Sequence, residues 1–307
     1  MPVVGPPTSP GGEGTTVADL IEETKRLLYG AGRLSVNRLP AGGIDSEDDV
    51  ITMSLDLNDI VRGALLSVEN ELMYVISAAP ASKQVTVMRG YMGTEAVEHA
   101  QDVYVEVNPR FPRIYIKDAL RREVDSWGSR LFKVTSTNIP LSTTTRSYDM
   151  GISDFIAVLS VRFSPYTGRT THSNVLRWHL LVDQDTVEFP SGAAIDLLGD
   201  YPTTGSMRVT LAQKFDVSTW DDNTVVESIG LKSSMIDIPP IGAAWRLMAT
   251  KEIARTSMVS QPEPRRSEEV PAGHIASVGA QLKKLRDDRI EEERWTLLQT
   301  YPLRGVA

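Results

Sequence analysis

The sequence predicts an α+β fold. It reads as a short helical bundle of four main helices with two inserted antiparallel β domains, the second a β-sandwich. Three observations carry this reading. Four stretches, opening near Val17, Arg113, Gly242 and His274, repeat apolar residues at three and four positions, which is one face of a helix. Between the first and second of them, and between the second and third, short runs alternate apolar with polar residues, the period of a half-buried strand. Clusters of Gly, Pro, Asn and Asp separate those runs at short intervals, as antiparallel connections require.

The elements follow in order. Residues 1–16, MPVVGPPTSPGGEGTT, carry too little apolar surface to order themselves and read as a flexible N-terminal arm, either a frayed terminus or a segment that folds onto a neighbouring subunit. Thr15 or Thr16 caps a helix over residues 17–29 with Leu20, Ile21, Leu27 and Leu28 as its stripe, and Gly30 and Gly32 end it. This helix and a linker make up residues 17–43. Residues 44–111 form a small antiparallel β domain, with strands over 50–55, 65–68, 71–78, 84–89 and 103–107 and a hairpin turn at Glu69-Asn70. The acidic run Asp45, Glu47, Asp48, Asp49 lacks the spacing of a calcium loop and reads as a solvated turn.

Asn108-Pro109 and Phe111-Pro112 stop the ladder, because proline donates no N–H. The bundle resumes over 112–133, where Ile116, Leu120, Val124, Trp127 and Leu131 keep helical spacing from about Arg113 to Lys133. Residues 134–232 are the sandwich-like domain, with strands over 155–163, 175–182, 186–189 and 206–211 and a short helix near 225–229. Residues 233–300 are a helical hairpin, its arms over 242–258 and 274–300. Pro302 cannot continue the second arm, so 301–307 leave as a tail.

Composition narrows the function. Hydrophobic content of 41% and charged content of 23% fit a globular protein able to bury a core. With no Cys there is no disulfide framework and no thiol nucleophile. No secretory signal and no apolar run of about 20 residues is present, so no membrane association is expected. A net charge of −8 argues against gripping nucleic acid by charge, though not against a channel through which DNA slides.

The four histidines, His99, His172, His179 and His274, form no ligand motif, and no nucleophile elbow exists. Gly11 to Thr16 lacks the lysine of a phosphate loop. The sequence therefore predicts no catalytic centre, no cofactor and no metal. Paired carboxylates need only proximity in space. A β-rich, tail-associated carbohydrate-binding or hydrolytic protein thus stands as an alternative, as does a small-molecule or peptide binding module on the sandwich.

One stretch carries a resemblance. Arg89-Gly90, Gly93-Thr94, Ala96 and His99 are followed by a Val-rich strand, then by Asn108-Pro109-Arg110-Phe111 and an amphipathic helix. Over roughly residues 63–132 this resembles the head–tail connector (adaptor) proteins of siphophages, especially those of actinobacterial hosts. The resemblance implies a structural virion protein at the head–tail junction, assembled in the host cytoplasm. It implies a homo-oligomeric, dodecameric ring beneath the portal protein, in contact with a stopper or other neck protein. DNA would pass the channel without sequence-specific binding. The order of helices favours an adaptor over a stopper or tail-terminator ring.

Two groups of residues are singled out. Arg89, Gly90, Gly93, Thr94 and His99 are expected to shape a turn, the glycines supplying positive φ and the polar side chains tying it down, His99 through a loop backbone group. Tyr301, Pro302, Leu303, Arg304 and Val306 are expected to dock on the portal, since the apolar members have no cover expected in their own subunit.

Overall fold

The first helix, α1 (Val17–Tyr29), starts on a capping box: the Thr16 hydroxyl accepts the Asp19 N–H at 3.2 Å and the Asp19 carboxylate accepts the Thr16 N–H at 2.8 Å. Val17, Leu20, Ile21 and Leu28 are buried on its inner face. The computed structural model describes residues 14–30, 35–164, 174–199, 204–258 and 274–301.

Six antiparallel strands follow: β1 (Ser35–Arg38), β2 (Val50–Thr52), β3 (Leu65–Val68), β4 (Glu71–Ala79), β5 (Gln84–Met88) and β6 (Tyr104–Val107). They form one sheet in the order β1-β6-β3-β4-β5-β2. The sheet curls until its two edges meet. The Ser54 N–H donates to the Arg38 carbonyl at 3.0 Å, and the Asn37 side chain bonds the Leu55 N–H and the Asp56 carbonyl. Leu39, Ile51, Leu66, Val75, Val85 and Val105 fill the interior. The linker expected up to residue 43 is therefore corrected, because it contains β1. That strand, Ser-Val-Asn-Arg, is too short and polar to show a period, and pairing with β6 holds it.

Helix α2 (Arg113–Asp125) is shorter than the expected 113–133. The chain turns at Gly128, φ +57°, and Lys133 already opens a strand. Trp127 and Leu131 are buried in the helical core as expected, but from a turn rather than a helix.

The second β region holds β7 (Lys133–Pro140), β8 (Ser147–Asp149), β9 (Ala157–Ser164), β10 (Asn174–Val175), β11 (Trp178–Leu181), β12 (Ala194–Leu197) and β13 (Ser206–Gln213). They make two antiparallel sheets, β10-β9-β13-β7 and β11-β12-β8. Tyr148, Ile195 and Leu197 of the smaller sheet share one apolar cluster with Val161, Met207 and Val209 of the larger. Two expected elements are corrected. Residues 186–189 form a turn in which the Phe189 N–H bonds the Asp185 carbonyl at 2.8 Å. Residues 225–229 also form a turn, anchored by the Thr16–Val225 bridge instead of by a helix. Strands β7, β8 and β12 lie where none was expected.

Helix α3 (Ile238–Met258) takes Pro239-Pro240 into its first turn, where their missing N–H groups leave nothing unpaired. Helix α4 (His274–Thr300) has the expected bounds. Residues of all four helices, among them Leu20, Leu120, Val124, Ala244, Ile290 and Leu297, share one core with Trp127, Phe215 and Trp220. The Tyr301 N–H donates to the Leu297 carbonyl at 2.7 Å, and its half-buried ring packs on this core. The expectation that Tyr301 finds no cover in its own subunit is thus corrected: the last helical turn carries it back onto the core. Pro302, Leu303, Arg304, Val306 and arm residues 1–13 lie outside the described residues. No described helix is long and apolar enough to cross a membrane.

Candidate functional site

Strand β5 ends at Met88 and delivers Arg89 into a tight turn. Gly90 and Gly93 take φ values of +60° and +81°, and Met92 between them takes +55°. A Cβ on Gly90 would also lie 3.0 Å from the Thr94 carbonyl, whereas a Cβ on Gly93 would meet nothing. At Gly93 the requirement is therefore one of dihedral angle alone. The Thr94 hydroxyl accepts the Leu72 N–H at 3.1 Å and donates to the Tyr91 carbonyl at 3.0 Å, fastening the turn to β4. Tyr91 stacks on Tyr74 with centroids 5.2 Å apart.

Glu71, the first residue of β4, lies at the centre and is 1% exposed. The Arg89 fork donates to its two oxygens at 2.7 and 2.8 Å. The Gly90 N–H donates at 3.0 Å, the Val97 N–H at 3.3 Å and His99 Nε2 at 2.9 Å. The remaining Arg89 donors reach the carbonyls of Asp45 and Val97. His99 Nδ1 lies 2.7 Å from Glu69 Oε2. An ionised carboxylate only accepts, so below its raised pKa His99 donates from both ring nitrogens as an imidazolium.

The electrostatics agree with that geometry. Burial pushes Glu71 upward, but Arg89, His99 and the Gly90 N–H outweigh it and pull the carboxyl down to about 2. Burial pushes His99 downward, and its bonds to Glu71 and Glu69 outweigh that and raise it above its ordinary value.

The turn thus brings all five singled-out residues, Arg89, Gly90, Gly93, Thr94 and His99, into one clasp. The expected partner of the His99 side chain is corrected: it bonds two carboxylates, while the His99 backbone pairs with Ile44. Glu71 was missed, because it lies 18 and 28 positions from its partners and no local spacing marks it. The signal was indirect, in that a buried Arg and His need a counter-ion. Chemically the site is a fastening. A buried carboxylate of such low pKa, already accepting five donors, is a weak base and a poor nucleophile.

Two further ionic junctions join the elements. Glu123 of α2, fully buried, accepts Arg246 of α3 at 2.8 Å, Arg286 of α4 at 2.6 Å and Trp127 Nε1 at 3.0 Å. Asp222 accepts Lys117 at 2.7 Å, Arg113 at 3.1 Å and the Asn70 amide at 3.3 Å. Burial raises Asp222, and the Lys117 bond and Arg113 charge more than reverse it, so its pKa is lowered. It thereby ties α2 to the β3–β4 hairpin. A cleft of about 1190 Å³ runs between α1 and the six-stranded sheet, with Asp19, Glu22, Lys25, Glu106 and Arg113 on its walls. Lys25–Glu106 at 2.6 Å and Arg113–Glu22 at 2.9 Å pair across it. The chain matches no protein-family model and no curated protein.

Proposed function

We propose that this chain is a structural head–tail connector (adaptor) subunit of a tailed phage, one that forms a dodecameric ring beneath the portal and encloses a channel for DNA. In this reading the four helices are a short bundle and the second β region is a sandwich. The shared helical core and the apolar cluster between the two sheets support that description. The observation that carries the proposal is the clasp. Arg89, Gly90, Gly93, Thr94 and His99, the first part of the stretch that carries the resemblance, shape one turn that is fastened through the buried Glu71, as a scaffold requires, and its charged groups are engaged with one another. The subunit works without catalysis, cofactor or metal, and portal, stopper and like subunits are its partners. A stopper or tail-terminator ring of the same neck is the nearest variant, separated by which neighbour it binds.

Negative-stain imaging of the full chain, alone and with a portal, tests the proposal. Twelve-fold rings, or subunits seated on the portal, are the expected result. A monomer that ignores the portal and cleaves cell-wall polymer would replace this reading with the tail-hydrolase alternative.

A further inference from the structure

Strand β7 leaves a long sheet edge open. Among the described residues every other edge strand is short: β10 has two residues, β8 and β2 three, β11 and β1 four. Strands β1 and β2 are also tied toward each other by the Ser54 and Asn37 bonds. Strand β7 has eight residues and pairs on one side only, with β13, in unbroken register.

The phase of that pairing shows which groups face outward. Leu141, opposite Gly205, donates to its carbonyl at 3.0 Å. Bonded pairs alternate along an antiparallel ladder, so odd-numbered residues of β7 bond β13. The even ones, Val134, Ser136 and Asn138, point their N–H and C=O groups away from the sheet, with no partner among the described residues. Pro140 occupies the next outward position, where proline is tolerated because its N–H would face away from the ladder. Edges of this length are usually blunted by charge, proline or a bulge. Here Lys133 and Pro140 stand only at the two ends of the strand, and residues 134–139 between them, Val-Thr-Ser-Thr-Asn-Ile, contain none of these.

We infer that this edge binds the same edge of a second copy of the chain, antiparallel, about a twofold axis through Ser136. This goes beyond the connector reading and does not rest on it. In that register Ser136 meets the partner's Ser136, and Val134 meets the partner's Asn138. Three bonded pairs give on the order of six backbone hydrogen bonds. Pro140 stays outside the paired run. Thr135 faces the partner's Thr137 on the side where Ile139 borders the apolar cluster between the sheets, so β-branched side chains meet over a shared core margin. No charge opposes another within the paired run. The two copies point in opposite directions, so this is a dimer of the free subunit. In a ring whose members all face one way, the edge must instead take a different strand.

The absence of cysteine makes the test direct, since Ser136→Cys creates the sole thiol. A bonded antiparallel pair sets Cα atoms about 5.5 Å apart, within disulfide reach. The inference expects the full-length wild type to sediment as a dimer. It expects S136C to cross-link rapidly with copper phenanthroline, and N138C far more slowly. It expects S136K, which sets like charges together at an exposed position, to sediment as a monomer with unchanged circular dichroism and melting. A wild-type monomer at every concentration tested overturns the inference, as does N138C cross-linking as fast as S136C. Rings without S136C cross-linking would support the connector reading alone. A β7 dimer without rings would support this inference alone.

Discussion

Glu71 and His99 make the turn depend on protonation in two opposite senses. Glu71 is held at about 2, below its ordinary 4.5, so its contribution is present above pH 4.5 and lost as pH falls toward 2. The difference corresponds to roughly 3 kcal/mol. His99 is raised above 6.5, so its contribution is complete below pH 6.5 and lost as pH rises through its folded value. We expect urea-unfolding stability to decline on both sides of a window between those limits. His99→Gln should remove the alkaline decline selectively, and nitrogen NMR should show both ring nitrogens protonated at pH 6.5. A singly protonated His99 there would contradict the ion pairing. Gly93 tests the backbone half of the clasp. With φ at +81° and open space around it, Gly93→Val should cost about 1–3 kcal/mol from backbone strain, and Gly93→Asn distinctly less. Equal stability of the valine variant and the wild type would remove the argument.

At the scale of elements, Glu123 decides how three helices meet. It lies within the apolar face of α2, between Leu120 and Val124, and its oxygens hold Arg246 and Arg286 on different helices. The contact with α3 is close because residue 242 is glycine: a Cβ there would lie 2.2 Å from the Glu123 carboxyl carbon. Gly242→Ala must therefore push helix or carboxylate aside, at a cost of about 1–3 kcal/mol. Glu123→Gln should cost more, about 3–5 kcal/mol, since it takes the buried charge that Arg246 and Arg286 share and leaves the nearly buried Arg286 with Asp287 as its remaining carboxylate partner among the described residues. Thermal melts of both variants give the comparison. An alanine variant that melts with the wild type would mean that α3 approaches α2 less closely than described.

At the scale of the whole molecule, the connector proposal concerns surfaces rather than a reaction centre. Tyr301 packs on the helical core, so in that proposal the portal-docking segment reduces to Pro302, Leu303, Arg304 and Val306. Deleting residues 302–307 should leave circular dichroism and melting unchanged and abolish portal binding in sedimentation. Because a ring multiplies weak contacts, a shorter deletion of residues 305–307 should weaken binding steeply rather than in proportion. Full portal binding by the longer deletion would assign docking to another surface.

The sequence by itself determined where the four main helices lie and the β3–β4 hairpin, because their causes are local. The cap of α1 at Thr15 or Thr16, the Glu69-Asn70 turn and the full extent of α4 follow from neighbours within a few positions. The positive φ of Gly90 and Gly93 was legible for the same reason. Only the tertiary structure decided the rest. Strand β1 exists because β6 lies beside it, and β7 takes over where helical spacing appeared to run on to Lys133. Glu71 and Glu123 became centres because folding brought cations to them from 18 to 163 positions away. Apolar periodicity records which face a segment buries. It carries no record of which distant charge must be buried with it, since that pairing is set by Coulomb attraction after the chain has closed.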